Sequence, residues 1–120
     1  MANQIVWVDI PIKDLDRAIK FYSAVLGAQV KKEEFPGMII GILPHQEGEV
    51  GGCLFMREGE EPSSKGALIY LNANRRLDQA IAAAEANGRR IIQPKHQIGP
   101  YGYRAIILDS EGNRVALHSD

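Results

Sequence analysis

Few side chains in this sequence can do chemistry. Its imidazoles and thiol are His45, His96, His118 and Cys53. No two of them have the spacing of a zinc site. His45 and His96 fall in polar stretches beside prolines and read as solvated loop residues. His118 alternates with Ala116 and Arg114 on one face of the last strand pattern. There it can serve as a base or a hydrogen-bond donor, or be a satisfied histidine near the chain end. Cys53 sits in an apolar run, where a thiol is either a small hydrophobe or a nucleophile. Trp7 and Asp9 share a face with Ile5 and form the other polar and aromatic set. The segment Gly99-Pro100-Tyr101-Gly102-Tyr103-Arg104 sets two tyrosines and an arginine beside two glycines. That is the make-up of a mobile lid, and equally of a loop with packed aromatics. The chain shows no Ser-His-Asp logic, no glycine-rich phosphate loop opening a helix and no basic-aromatic surface.

These residues must be positioned by regular elements. Ile5 to Ile10 alternates as a strand, with Val6, Val8 and Ile10 on the face opposite Trp7. From Leu15 the period becomes helical: Leu15, Ala18, Ile19, Tyr22 and Leu26 form one stripe. Asp14 suits its N-cap and Gly27 the left-handed position after its end. Strand patterns follow at Ala28–Phe35, Met38–Leu43 (suited to a well-buried strand) and Val50–Met56, the last carrying Gly51-Gly52. Glycines there suggest a bulge or something close against the backbone. Arg57 to Gly66 is charged and rich in Pro, Ser and Gly, and reads as a linker. Beyond it come a strand at Ala67–Leu71, a helical stripe of Leu77, Ala80, Ile81 and Ala84 closed by Gly88, and a strand at Arg89–Gln93 ended by Pro94. Lys95–Gly102 is expected as a loop, Tyr103–Leu108 as a strand, Asp109–Asn113 as a tight turn and Arg114–Ser119 as the last strand.

Composition narrows the function classes. A 120-residue chain with 45% hydrophobic residues can bury a core as one folding unit. The formal net charge of −1 gives no electrostatic basis for nucleic acid or an anionic membrane as partner. One cysteine excludes an internal disulfide and fits a reducing compartment. No apolar run reaches the ~20 residues of a membrane helix, and the start lacks the flank of a signal peptide. A cytoplasmic location is expected.

The two halves repeat. Leu15-Asp16-Arg17-Ala18-Ile19 lies over Leu77-Asp78-Gln79-Ala80-Ile81 at an offset of 62, Gly27 over Gly88 at 61 and Gly48 over Gly112 at 64. Both halves read strand, helix, strand, strand, strand. A sheet with one helix keeps one face bare. Two such sheets side by side can curl so that their bare faces line a cleft.

The stretch Lys13-Asp14-Leu15-Asp16-Arg17-Ala18-Ile19-Lys20-Phe21-Tyr22-Ser23-Ala24-Val25-Leu26-Gly27, the closing Gly88 and Leu108-Asp109-Ser110-Glu111-Gly112-Asn113-Arg114-Val115-Ala116-Leu117-His118-Ser119 resemble the vicinal oxygen chelate superfamily. That superfamily contains glyoxalase I, extradiol dioxygenases and bleomycin-resistance proteins. The resemblance covers essentially the whole chain and is strongest toward glyoxalase-like proteins. It implies an α+β fold of two tandem βαβββ modules forming a half-open barrel around a cleft, and a homodimer. The modules would be residues 1–57 and 66–120, joined by linker 58–65. In the metalloenzymes of the superfamily, His, Glu or Gln side chains bind a divalent cation in the cleft. The resemblance puts those positions at Trp7, Gly52, Leu68 or Ile69, and Ala116. None of these side chains can hold a cation, and among their neighbours only Cys53 can.

The expectation is therefore a glyoxalase-like protein that binds an organic small molecule in a metal-free cleft, without cofactor and without glyoxalase I activity. Its ligand-binding residues would be Trp7, Asp9, Cys53, Tyr101, Tyr103 and His118. Two other readings stay open. One is a metal-dependent lyase or dioxygenase with unusual ligands such as Cys53 and His118. The other is a non-catalytic dimeric module whose cleft is filled by its own side chains.

Overall fold

The computed structural model describes residues 3–88 and 90–120. The chain runs β1 (Trp7–Pro11), α1 (Leu15–Leu26), β2 (Lys31–Phe35), β3 (Met38–Ile42), β4 (Gly51–Phe55), β5 (Ile69–Asn72), α2 (Leu77–Asn87), β6 (Arg90–Gln97), a single helical turn at Gly99–Tyr101, β7 (Tyr103–Leu108) and β8 (Arg114–Ser119). This is a βαβββ unit written twice. Each unit forms its own four-stranded sheet, in the orders β1-β4-β3-β2 and β5-β8-β7-β6. In both, the first strand lies parallel to the last and the other pairs are antiparallel. The α+β architecture matches the expectation. The sheets are not closed on each other, since no strand ladder joins them among the described residues.

The helices show why the sequence folds this way locally. Asp14 caps α1, its Oδ1 accepting from the Arg17 amide at 3.0 Å. Gly27 ends it at φ 68°, and its amide donates to the Ser23 carbonyl at 3.0 Å. The buried face is Leu15, Ala18, Phe21, Tyr22 and Val25, with Ile19 and Leu26 only half-buried. The buried arc includes Phe21 and Val25, absent from the expected stripe, because α1 packs on α2 as well as on its own sheet. α2 has no side-chain cap at Arg76. That guanidinium instead donates from Nη1 to the Val25 carbonyl at 2.6 Å, at the negative end of α1. One core runs through both units, from Ile10 and Tyr22 to Leu77 and Leu117.

Two strand expectations are corrected. β6 continues through Pro94 to Gln97, so residues 95–97 are not loop. It is an edge strand whose register shifts on either side of Gln93, where a missing N–H is tolerated. Arg89, expected in this strand, lies outside the described residues. Met38 and Ile39 are 42% and 43% exposed rather than well buried, because β3 pairs with β4 only at Gly41 and Ile42 and the β2–β3 hairpin runs on beyond it.

The turn at residues 109–113 does more than reverse the chain. Asp109, Glu111 and Asn113 are all buried. Glu111 Oε1 accepts from the Lys13 and Asp14 amides at 2.9 Å each and from Arg17 Nη2 at 2.9 Å. Its Oε2 accepts from Arg17 Nε at 2.7 Å and from Ser110 Oγ at 2.8 Å. Asp109 Oδ2 accepts from the buried Tyr22 hydroxyl at 2.5 Å. Asn113 Nδ2 donates to the Pro11 carbonyl at 2.8 Å, and its Oδ1 accepts from the Ser63 amide at 3.0 Å. The second unit thus places a carboxylate at the positive start of α1 in the first, and its turn also ties down β1 and the linker.

Burial opposes the Glu111 charge. Hydrogen bonds from Arg17, then the Asp14 and Lys13 amides, then Ser110, outweigh it and bring the carboxyl down to about 2. A depressed carboxyl stabilises the fold above its unfolded value, and that contribution is lost as pH falls toward the folded value. Wild-type stability should therefore drop between about pH 4.5 and pH 2, by roughly 2–3 kcal/mol from this group, since the Arg17 end of the pair is half exposed and screened. In Glu111→Gln the protein should be less stable at neutral pH and this part of the slope should be missing. Urea unfolding at several pH values checks it; an unchanged slope contradicts the assignment.

Candidate functional site

The bare face of each sheet carries one polar cluster. On the first sheet, Asp9 and Cys53 are direct partners in register. Asp9 Oδ1 accepts from Trp7 Nε1 at 2.8 Å and from the Cys53 thiol at 3.3 Å. The indole is 43% exposed, so its ring is held by the carboxylate and still meets solvent. His45 stands edge-on to it at 5.7 Å between centroids. The imidazole is fixed through Nδ1 to the Leu43 carbonyl at 2.8 Å. A Cβ on Gly51 would lie 2.8 Å from His45 Nε2, so the glycine makes room for this ring. His45 is exposed, as expected of a loop residue, but it is held in place. A hollow beside it is lined by Lys31, Glu33, Ile42, His45 and Glu49.

Burial, then the Asp9 hydrogen bond and charge, push the Cys53 thiol up to about 11. It is a protonated donor at neutral pH, not a nucleophile.

The second sheet holds His118 and a group that its neighbours only partly suggest. Arg104 Nε donates to His96 Nε2 at 3.0 Å, and Arg104 Nη1 donates to the Tyr70 hydroxyl. His118 lies opposite Arg104 in register, with its ring 6.0 Å from Tyr70. Its Nε2 donates to the Tyr101 carbonyl at 2.6 Å.

The expected ligand-binding residues are therefore divided. Trp7, Asp9 and Cys53 come together on the first sheet, and His118 stands on the second. No hydrogen bond or ring contact joins the two groups among the described residues. Tyr101 meets His118 through its carbonyl only, and its ring is 75% exposed. Tyr103 alternates onto the helix-covered side with Ala105 and Ile107. Its ring lies 5.6 Å from Lys95 Nζ, which pairs with Asp78 of α2 at 3.1 Å. The segment read as either a lid or a packed loop forms a hydrogen-bonded turn followed by strand. Gly99–Tyr101 is closed by the Ile98 amide on the Gly102 carbonyl at 2.8 Å, and Tyr103 and Arg104 already belong to β7. Packing also fixes Gly102, whose Cβ would lie 2.3 Å from the Ser119 carbonyl oxygen. Sequence reading missed the His96–Arg104–Tyr70 set. Period-two alternation could have put Arg104 on one face with Ile106, but the extension of β6 past Pro94 was needed to bring His96 opposite it.

Residues 4–117 match the family model described as Glyoxalase/Bleomycin resistance protein/Dioxygenase superfamily. The chain belongs to this superfamily. A glyoxylase-like domain-containing protein of Didymella fabae is 29% identical to it over 126 residues, covering 98% of this chain and 94% of that protein. Among solved structures, a glyoxalase/bleomycin resistance protein from Albidiferax ferrireducens T118 superposes with a TM-score of 0.78 at 19% identity, over 98% of this chain and 99% of the other. A glyoxalase/bleomycin resistance protein/dioxygenase family enzyme from Burkholderia phytofirmans PsJN gives 0.73 at 20% identity, over 94% and 95%. These two likenesses concern the fold.

The superfamily's metal can now be tested against the side chains. A Cβ on Gly52 would meet Val8 and Leu43, members of the helix-side core, so the open position on β4 is Cys53 rather than Gly52. Ile69 likewise packs on that core, which leaves Leu68. The donors on offer are then an indole, a thiol held protonated, an aliphatic chain and the methyl of Ala116. They do not fit a divalent cation. Among the described residues no three His, Cys, Asp or Glu side chains converge.

Because Asp9 raises the thiol pKa, Asp9→Asn should lower it and speed alkylation of Cys53 by iodoacetamide at pH 8 several-fold. The folded wild type should react slowly. Equal rates in the two proteins would show that Asp9 does not hold the thiol.

Proposed function

We propose that this chain is a metal-independent small-molecule binder of the superfamily, without glyoxalase I activity. The observation that carries the reading is the Trp7 indole. It stands at the position that the resemblance assigns to the first metal ligand, pinned by Asp9 with its ring exposed. A fixed, half-exposed indole is a stacking surface for a flat or apolar ligand, and few rotamers are left to freeze on binding. The neighbouring Ile42, the edge-on His45 and the free Oδ2 of Asp9 supply an apolar wall and polar points of orientation.

The protein acts as a homodimer in this proposal. Phe35, Met38 and Ile39, together at the tip of the β2–β3 hairpin, are each more than 40% exposed, an apolar patch that a second copy would cover. No helix is long and apolar enough to cross a membrane. A lone free thiol agrees with a reducing, cytoplasmic setting. One feature favours the non-catalytic module as second reading: Ile40, Cys53 and Phe55 are already buried on this same face.

A thermal-shift screen of aromatic antibiotics, glutathione thiohemiacetals and small carbonyl compounds tests both. At least one flat aromatic compound should raise the melting temperature, and Trp7→Ala should weaken it by about tenfold or more. A hit whose affinity survives in Trp7→Ala places the ligand elsewhere. A screen without any hit favours the filled module.

A further inference from the structure

The bare face of the second sheet holds a positive charge that no ion pair among the described residues neutralises. Arg104 is held at two points. Its Nε donates to His96 Nε2 and its Nη1 to the Tyr70 hydroxyl. Both acceptors are neutral. The Nδ1 of His96 lies 2.8 Å from the Pro94 carbonyl, which can only accept. The proton therefore sits on Nδ1, and Nε2 is the bare nitrogen that receives Arg104. A phenol oxygen carries no charge either.

The guanidinium is thus oriented without being neutralised. Tyr70 stands on β5 and Arg104 on β7, with β8 between them. Tyr70 lies opposite the fully buried Ala116 and Arg104 opposite His118, so their bond crosses that strand diagonally. The small Ala116 side chain leaves space for this crossing. The Nη2 donors of Arg104 make no hydrogen bond among the described residues. Tyr70 is 46% exposed and its ring meets His118 edge-on, so the charge has an aromatic rim open to solvent.

We propose that this face takes the oxyanion of a small aromatic or heteroaromatic molecule, a ligand class that rests on the small-molecule binder proposed above. The oxyanion is a carboxylate or a phosphate. A planar guanidinium with spare donors matches either group by paired N–H···O bonds. Holding it in place beforehand reduces the ordering cost on binding. His96 acts as a positioning residue, since it touches Arg104 and not the ligand.

The test is a titration of the ¹⁵N-labelled full chain, followed by backbone amide shifts. Benzoate and phenyl phosphate are the two oxyanion probes, benzamide is the neutral isostere and inorganic phosphate is the control without a ring. Benzoate, phenyl phosphate or both should move β7 and β8 amides saturably, and the tighter one identifies the oxyanion. Benzamide should bind about tenfold more weakly than the better probe, and Arg104→Gln should lose about tenfold or more. Tyr70→Phe keeps the ring, frees Nη1 and should weaken binding more mildly. His96→Gln, which offers a neutral acceptor, should rescue binding relative to His96→Ala. Inorganic phosphate should bind more weakly than phenyl phosphate. Benzamide equal to both oxyanions, Arg104→Gln equal to wild type or no saturable shift would each overturn the proposal. The benzoate–benzamide comparison uses wild-type protein, so it stands even if a variant fails to fold.

Discussion

The buried carboxylate of Glu111 is the contact on which the rest depends. It belongs to the second βαβββ unit and satisfies two backbone amides at the entrance to α1 in the first. Those are donors that a helix start leaves unpaired. Arg17 reaches it from the first turn of the same helix. Beside it, Tyr22 carries a hydroxyl into the core, where Asp109 receives it. Burial, followed by the Asp109 charge and hydrogen bond, raises that phenol well above its ordinary value, so it remains a donor. Neither unit satisfies these groups alone. The duplicated halves become one body because a turn from one completes a helix from the other.

That joint determines which surfaces remain for function. The helices and the inward sides of both sheets are used in the common core. The opposite side of each sheet is left for something else. The two sides have become different chemically. One offers an indole, a carboxylate and a protonated thiol; the other offers a guanidinium held by neutral partners. The halves share a plan while their bare faces suit different groups of a ligand.

Much of the frame was legible in the sequence. Asp14 and Gly27 marked the ends of α1 because capping is local, and alternation placed Trp7 with Asp9 because a strand has period two. What was hidden depended on distant partners. Tyr22 read as part of an apolar stripe, and nothing near it announced a hydroxyl bond across 87 residues. Glu111 read only as part of a tight turn, and nothing near it announced its partners on α1. His96 looked like loop because Pro94 normally ends a strand, whereas an edge strand with shifted register accommodates it. The superfamily was readable from the α1 stretch and the closing strand, while the grouping of site residues needed the sheet registers.

The central claim concerns the first sheet: an indole takes the place of a metal ligand, so recognition there needs no cation. Trp7 is the single tryptophan of the chain, which makes its fluorescence a local reporter. Titration with Ni²⁺ and Mn²⁺, with emission followed to saturation, is the direct measurement. The account predicts only weak, non-saturating quenching that leaves the melting temperature unchanged. A stoichiometric, saturable quench, reversed by chelator and accompanied by a rise in melting temperature, would put a cation beside Trp7 and contradict it.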